Sequence, residues 1–483
     1  MENTTHIFKK RLNLFDSMAI VIGSMIGSGI FIVSADIART VGSPGWLMMV
    51  WLITGIMTVV AALSYGELAC MMPHAGGKYV YLREAYNPLV GFLYGWTLFT
   101  VIQTGLIAAV AMAFGKFLGV LFPWFSEKHI LFELGFFKIK YVHFAAIGSI
   151  MLLTWINTRG INTGKIIQNI FTYSKTAVLL LFLLAGLFMA SNIDAVNFNM
   201  THLWDAATLK DNVWIPISGW QLWAALGTAM VGSLFAADAW YSLTFTSSEV
   251  INPKRNIPLG MFFGTTIVTV IYILVNLVYL KFLPLRGDPQ GMDVLKQGIS
   301  AAVNDRVGTS AMFVLMGNYA AIAMAILVVI STFGCNNGLI LSGARVYYAM
   351  AHDKLFFKKA GELNDRSVPQ FGLIVQAVWA SLLCLSGTYS NLLDYVVFAV
   401  LVFFTLTITG IFILRVKRPD AERPYKAIGY PVIPAMYIIA ALFIMIVLLI
   451  YKPVYTWPGL LIVLVGIPVY YIWRMVNKDP QQS

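Results

Sequence analysis

Charge is scarce in this sequence. Only 11% of its 483 residues are Asp, Glu, Lys or Arg, while 59% fall in the hydrophobic set. Soluble domains carry about 25% charged residues, so a chain this long cannot clothe a water-facing surface. A soluble enzyme is all but excluded, and so is a disordered chain. Cysteine is nearly missing too: Cys70, Cys335 and Cys384 stand apart, with no CxxC pair. A disulfide-stapled scaffold is thereby excluded, and neither a zinc site nor any other cofactor is expected. The net charge of +11 comes without a compact basic domain with interleaved aromatics, so nucleic acid is not an expected partner. Basic loops beside an anionic membrane face account for the excess. The start MENTTHIFKKRLNLF lacks a short apolar core with a small-residue cleavage site, so no removable signal peptide is expected.

What the chain has instead is long apolar runs. A bilayer core of ~30 Å needs about 20 apolar residues in a helix. Twelve runs qualify or come close: Phe15–Ile37, Trp46–Glu67, Leu89–Val120, Phe144–Ile156, Ile166–Ala190, Leu222–Ser247, Leu259–Leu283, Thr309–Met350, Phe371–Leu385, Leu393–Leu414, Ile433–Ile450 and Leu460–Val476. Ten-residue alternating strands are absent, so the expected fold is an all-α integral membrane protein of twelve transmembrane helices and not a barrel. The third and eighth runs exceed one crossing, and each is expected as one long tilted helix. With the N-terminus inside, cytoplasmic segments hold 21 of the 33 lysines and arginines. That bias puts both termini in the cytoplasm of a multi-pass protein of the plasma (inner) membrane. The expected organisation is a cytoplasmic tail over 1–14, a first repeat over 15–190, a second over 191–429, and two further helices with a short tail over 430–483.

Two runs are interrupted. The first contains GSMIGSGIF, Gly23 to Phe31, with three glycines and two serines. Gly27 lies 12 residues past Phe15, which at 1.5 Å per residue is ~18 Å into the membrane. Close helix packing by small residues explains such a stretch as well as a ligand site does. The sixth run contains LFAADAWYS, where Asp238 sits inside the span. A charge there costs about 2.5–3.5 kcal/mol on insertion scales, so it should face a cavity or a partner. The two runs are five apart and therefore run in opposite directions, the pattern of a 5+5 inverted-repeat transporter. Broken helices bare their main-chain ends. Amides after Gly27 suit a carboxylate, and carbonyls near Ile26 and Ala236 suit an ammonium. Together they fit the shared part of any α-amino acid. Lys175 is about 13 Å into the fifth run, too deep to snorkel easily. A fixed ammonium there would tie that run to the first break and remove the need for sodium.

These residues resemble a known family, the amino acid–polyamine–organocation superfamily, and within it the L-type amino acid transporter branch. The resemblance runs from about Leu12 to Pro434. Besides GSMIGSGIF it rests on PHAGGKYVYLREAY (Pro73 to Tyr86), WINTRGINTGKIIQNIFTYSK (Trp155 to Lys175), SSEVINPKRNIPLG (Ser247 to Gly260), STFGCNNGLILSGARVYYAMAHD (Ser331 to Asp353) and RPYKAIGYPVIP (Arg423 to Pro434). It implies a leucine-transporter-type fold with broken first and sixth helices and a rocking-bundle cycle. It also implies that the amides of Ser28, Gly29 and Ile30 hold the substrate carboxylate, and that the carbonyls of Met25, Ile26, Phe235 and Ala236, with Asp238, hold the amine. Phe235 would be an aromatic lid, Lys175 the cation of sodium-independent members, and Ser331 and Thr332 would face the first break from the eighth run. The chain departs from the family where Ala237 and Ala239 replace the glycines common after the lid. The stretch 122–141 also lacks the cysteine that joins animal relatives to a glycoprotein subunit. No disulfide-linked heavy subunit is expected, and the protein should be a monomer or a weak homo-oligomer.

The leading expectation is sodium-independent transport or exchange of neutral L-amino acids. Asp238 keeps a cationic amino acid or polyamine antiporter open as an alternative. A non-transporting sensor would need long signalling tails, and the tails are short. An enzyme would need convergent catalytic groups at one face, whereas the histidines are scattered. Glu67 and Glu249, at helix ends, are expected to pair with basic residues of the loops.

Overall fold

In the computed structural model of the chain, residues 8–126, 129–134, 137–189, 191–288, 290, 291, 293–386 and 389–476 are described. Residues 1–7 of the expected tail over 1–14, and residues 477–483, lie outside these. The first run makes α1 (Leu14–Met25), α2 (Gly29–Ile32) and α3 (Ser34–Val41), and the second makes α4 (Pro44–Met71). A short α5 (Lys78–Ala85) leads to α6 (Pro88–Thr97) and α7 (Gln103–Leu121), then α8 (Tyr141–Thr158), α9 (Ile161–Phe188) and the short α10 (Ile193–Thr201). The sixth run makes α11 (Gly219–Ala236) and α12 (Ser242–Phe245), the seventh α13 (Pro253–Phe282). After α14 (Val294–Gln297) come α15 (Val307–Met316), α16 (Ala320–His352), α17 (Gln370–Ser386), α18 (Tyr389–Lys417), α19 (Val432–Tyr451) and α20 (Pro453–Val476). Two small antiparallel hairpins, Ile130–Leu134 with Phe137–Lys140 and Ala207–Lys210 with Val213–Pro216, sit in connections between helices.

Among the described residues, ten helical stretches are long and apolar enough to cross a membrane. Their outer surfaces are apolar as well. Along α9, Ile166, Ile170, Leu180, Leu181, Leu184 and Phe188 are exposed, a face that water would not tolerate but lipid does. The third run keeps one path from Pro88 to Leu121, loosened by a π-helical turn over Leu98–Ile102. The eighth run is not the single helix expected from its length. Gly317, at φ +53°, ends α15, and α16 starts at Ala320, because a residue in the left-handed region stops a helix.

Buried polar side chains lock the interior. Asn337 on α16 donates to the Gln168 side chain (2.9 Å) and to the Gly164 carbonyl (3.0 Å), and accepts from Asn157 on α8 (2.9 Å). Gln168 and Thr172 on α9 in turn donate to the Ala19 carbonyl of α1 at 3.3 and 3.2 Å. This chain explains why the motifs at Trp155–Lys175 and Ser331–Asp353 carry asparagine and glutamine inside apolar helices: each amide satisfies another helix in a place without water.

Ion pairs gather at the face that holds the start of α1. Glu67 binds Arg415 (2.7 Å) and Arg423 (3.4 Å), Asp16 binds Lys165 (3.0 Å), and Glu84 binds Arg83 (2.8 Å) and Arg418 (2.5 Å). Asp353 receives Arg83 and the Tyr79 hydroxyl. The partner of Glu249 is Arg345 of α16 at 2.8 Å, both fully buried, and not a loop cation.

Candidate functional site

The first break follows from its residues. Asn13 and Asp16 form a reciprocal capping box that starts α1, which ends at Met25 with Ile26 extended (φ −76°, ψ 95°). Helix resumes at Gly29 and passes through Val33 in helical geometry into α3. The glycines divide their labour. Gly23 is a packing glycine, since a Cβ there would overlap Gln168 and Thr172. Gly29 faces the other break, where a Cβ would come within 2.7 Å of the Ala236 Cβ. Close packing by small residues therefore accounts for Gly23 and Gly29 alike.

The second break lies between Ala236 and Ser242. Ala239 adopts φ +67°, a left-handed conformation that an L-residue with a Cβ reaches at a cost. Asp238 is buried, accepts from the Tyr241 hydroxyl at 3.4 Å through Oδ2, and leaves Oδ1 without a partner. A buried carboxylate oxygen without a donor is costly.

Between the breaks is a cavity of about 20 Å³, lined among others by Met25, Gly27, Ser28, Gly29, Phe235, Ala236 and Asp238. It has room for about one water molecule, so the site is closed in this conformation. The amides of Gly29 and Ile30 start the resumed helix, where helix geometry leaves donors free of intrahelical acceptors. The carbonyls are partly engaged. Tyr272 of α13 places its hydroxyl 3.1 Å from both the Met25 and Ala236 carbonyls, and one proton cannot serve both. The Phe235 carbonyl accepts from the Asp238 amide at 3.2 Å.

Lys175 of α9 reaches the first break. It is fully buried, and its Nζ donates to the carbonyls of Ile26, Gly23 (2.6 Å) and, at 3.4 Å, Ser331. The Ser331 hydroxyl lies 3.1 and 3.0 Å from the Ile26 and Gly27 carbonyls. Thr332 does not join them: its hydroxyl bonds back to Val328 and Val329 of its own helix. Sequence reasoning passed over three residues. Tyr272 and Asn337 are single polar groups inside apolar runs, a pattern already taken as informative for Lys175. Lys78 is hidden better, behind a Gly–Gly pair that resembles an ordinary loop.

A multi-pass helical bundle with two interrupted helices meeting at a closed, buried site is a membrane transporter by class. Residues 12–471 match the amino acid permease family, and the chain belongs to it, in the L-type branch of the amino acid–polyamine–organocation superfamily. It is similar to the human cystine/glutamate transporter, 28% identical over 474 residues that cover 98% of this chain and 87% of the relative. The human b(0,+)-type amino acid transporter 1 is 26% identical, covering 98% and 89%. The rabbit (Oryctolagus cuniculus) large neutral amino acids transporter small subunit 2 is 28% identical, covering 98% and 82%. The protein is an amino acid permease and not an enzyme.

Proposed function

We propose that the protein exchanges neutral L-amino acids by alternating access, without sodium. The twelve apolar runs would form a 5+5 inverted repeat plus two helices, with both termini cytoplasmic. The observation that carries the reading is the meeting of two opposed breaks, Gly29 against Ala236, with a buried ammonium on one side and an unpartnered carboxylate oxygen on the other. The amides of Ser28, Gly29 and Ile30 take the substrate carboxylate. Its ammonium goes to Asp238 and to whichever of the Met25, Ile26, Phe235 and Ala236 carbonyls gives up its present donor. Phe235 closes the site, and Gly27 keeps the gap clear of a side chain. Lys175, with Ser331, supplies permanently the charge that a sodium ion would bring. The names of the relatives span cystine with glutamate and large neutral amino acids, so family membership alone does not choose the side chain. No cysteine occurs over 122–141, which supports a permease that works without a disulfide-linked partner.

The test uses purified protein in liposomes preloaded with each of the twenty amino acids in turn, in sodium-free buffer. Saturable uptake of labelled neutral amino acids, accelerated by a neutral amino acid inside, is the expected result. Uptake of none of them, or uptake only with sodium, overturns the proposal.

A further inference from the structure

The short helix α5 carries a lysine that water does not reach. Gly76 and Gly77, at φ +100° and +42°, turn the chain back after α4. A Cβ on Gly77 would lie 2.7 Å from the Thr244 carbonyl oxygen, so α5 enters the bundle against α12. Lys78 ends up fully buried. Its Nζ lies 3.6 Å from the ring centre of Tyr241, 4.0 Å from Phe404, 5.2 Å from Tyr94 and 5.7 Å from Tyr65. Ring faces attract cations, most strongly where water is excluded. Burial disfavours the charged form of Lys78, and Asp238 is the carboxylate whose charge favours it; Tyr241 joins the two, with its ring under Lys78 and its hydroxyl toward Asp238. Asp238 also lines the cavity between the breaks. Four rings make a receptor for an alkylammonium or guanidinium group, one of the protein's own side chains fills it, and the Tyr241 hydroxyl links it to the carboxylate that lines the cavity.

We propose that Lys78 determines specificity as a tethered cation that occupies this box and bars amino acids with cationic side chains. The inference rests on the substrate cavity proposed above. Its second support is the charge balance. With Lys78 protonated against its ring faces, Lys175 and Lys78 against Asp238 leave the buried site with one net positive charge. A zwitterion does not change that. A substrate with a cationic side chain would add a second uncompensated charge where water cannot screen it, which is expensive. With Lys78 cut back to alanine, a bound arginine or lysine restores the balance the wild type has with a neutral substrate, and its side chain has the vacated box to enter.

The test compares kcat/KM for alanine, leucine and phenylalanine with kcat/KM for arginine and lysine in liposomes. The wild type is expected to disfavour the cationic pair by at least about tenfold, and Lys78→Ala to raise the cationic-to-neutral ratio by at least about tenfold. Lys78→Arg keeps the exclusion. In Lys78→Ala, n-butylammonium should refill the box and inhibit arginine uptake more than neutral uptake. A merely looser gate would speed all substrates alike, and an unchanged ratio overturns the proposal. Wild type that takes arginine as readily as leucine overturns it without any variant. Absence of all neutral uptake in the wild type instead overturns the transport reading on which it rests.

Discussion

One ammonium stitches the first break to two other helices: Lys175 reaches the Gly23 and Ile26 carbonyls of the break and the Ser331 carbonyl of α16. Its removal leaves buried carbonyls short of donors, at about 1–3 kcal/mol for each one left unsatisfied. Lys175→Ala should therefore lower sodium-free exchange by at least about tenfold, measured as initial rates at equal protein incorporation. Wild-type exchange in that variant would remove the role given to Lys175. Ala239 makes the opposite prediction. Its φ of +67° suits glycine, and Ala239→Gly should raise stability by about 1 kcal/mol, seen as a higher unfolding midpoint in detergent. An unchanged or lower midpoint would mean that the surroundings carry the strain at no cost. Lys175 and Asp238 were legible in the sequence because a charge inside an apolar run has few explanations. Lys78 was not. GGKYVYLREAY has the composition of a solvated loop, and only two positive-φ glycines fold that loop back into the bundle.

Among the elements, α5 is the one whose position depends most on charge. Arg83 pairs with Asp353 and Glu84, and Arg418 pairs with Glu84, so the end of α16 and the end of α18 both grip α5. Burial pushes the Glu84 carboxyl up, but hydrogen bonds from Arg418 and Arg83 and their charges outweigh it and hold the group below its ordinary value. A depressed carboxylate contributes stability above its unfolded pKa of about 4.3 and loses it as pH falls through the folded value. Glu84→Gln should therefore lower the unfolding midpoint at neutral pH, and the gap to wild type should close below about pH 4. A gap that does not vary with pH would show that Glu84 acts by packing alone. The breaks in the first and sixth runs were legible from glycine, serine and a stranded aspartate. The break at Gly317 was missed, because one glycine among aliphatics is compatible with a helix and its positive φ is set by the connection that follows.

For the molecule as a whole, composition and run length were enough to establish a helical membrane protein, since lipid leaves few other ways to satisfy a backbone. What they could not show is the state of the site. With a cavity of about 20 Å³ and a clamp of ion pairs across the face that carries α5, the molecule is closed around too little space for an amino acid. On the proposed reading, binding opens the breaks, and Tyr272, Lys175 and Lys78 are the donors and charges that yield or hold as it does. The most direct measurement is a structure solved with a transported neutral amino acid at saturating concentration. The substrate carboxylate should lie on the amides of Ser28–Ile30 and its ammonium beside Asp238, in a gap widened between α2 and α11. An amino acid bound elsewhere, with Gly29 still pressed against Ala236, would contradict the whole account.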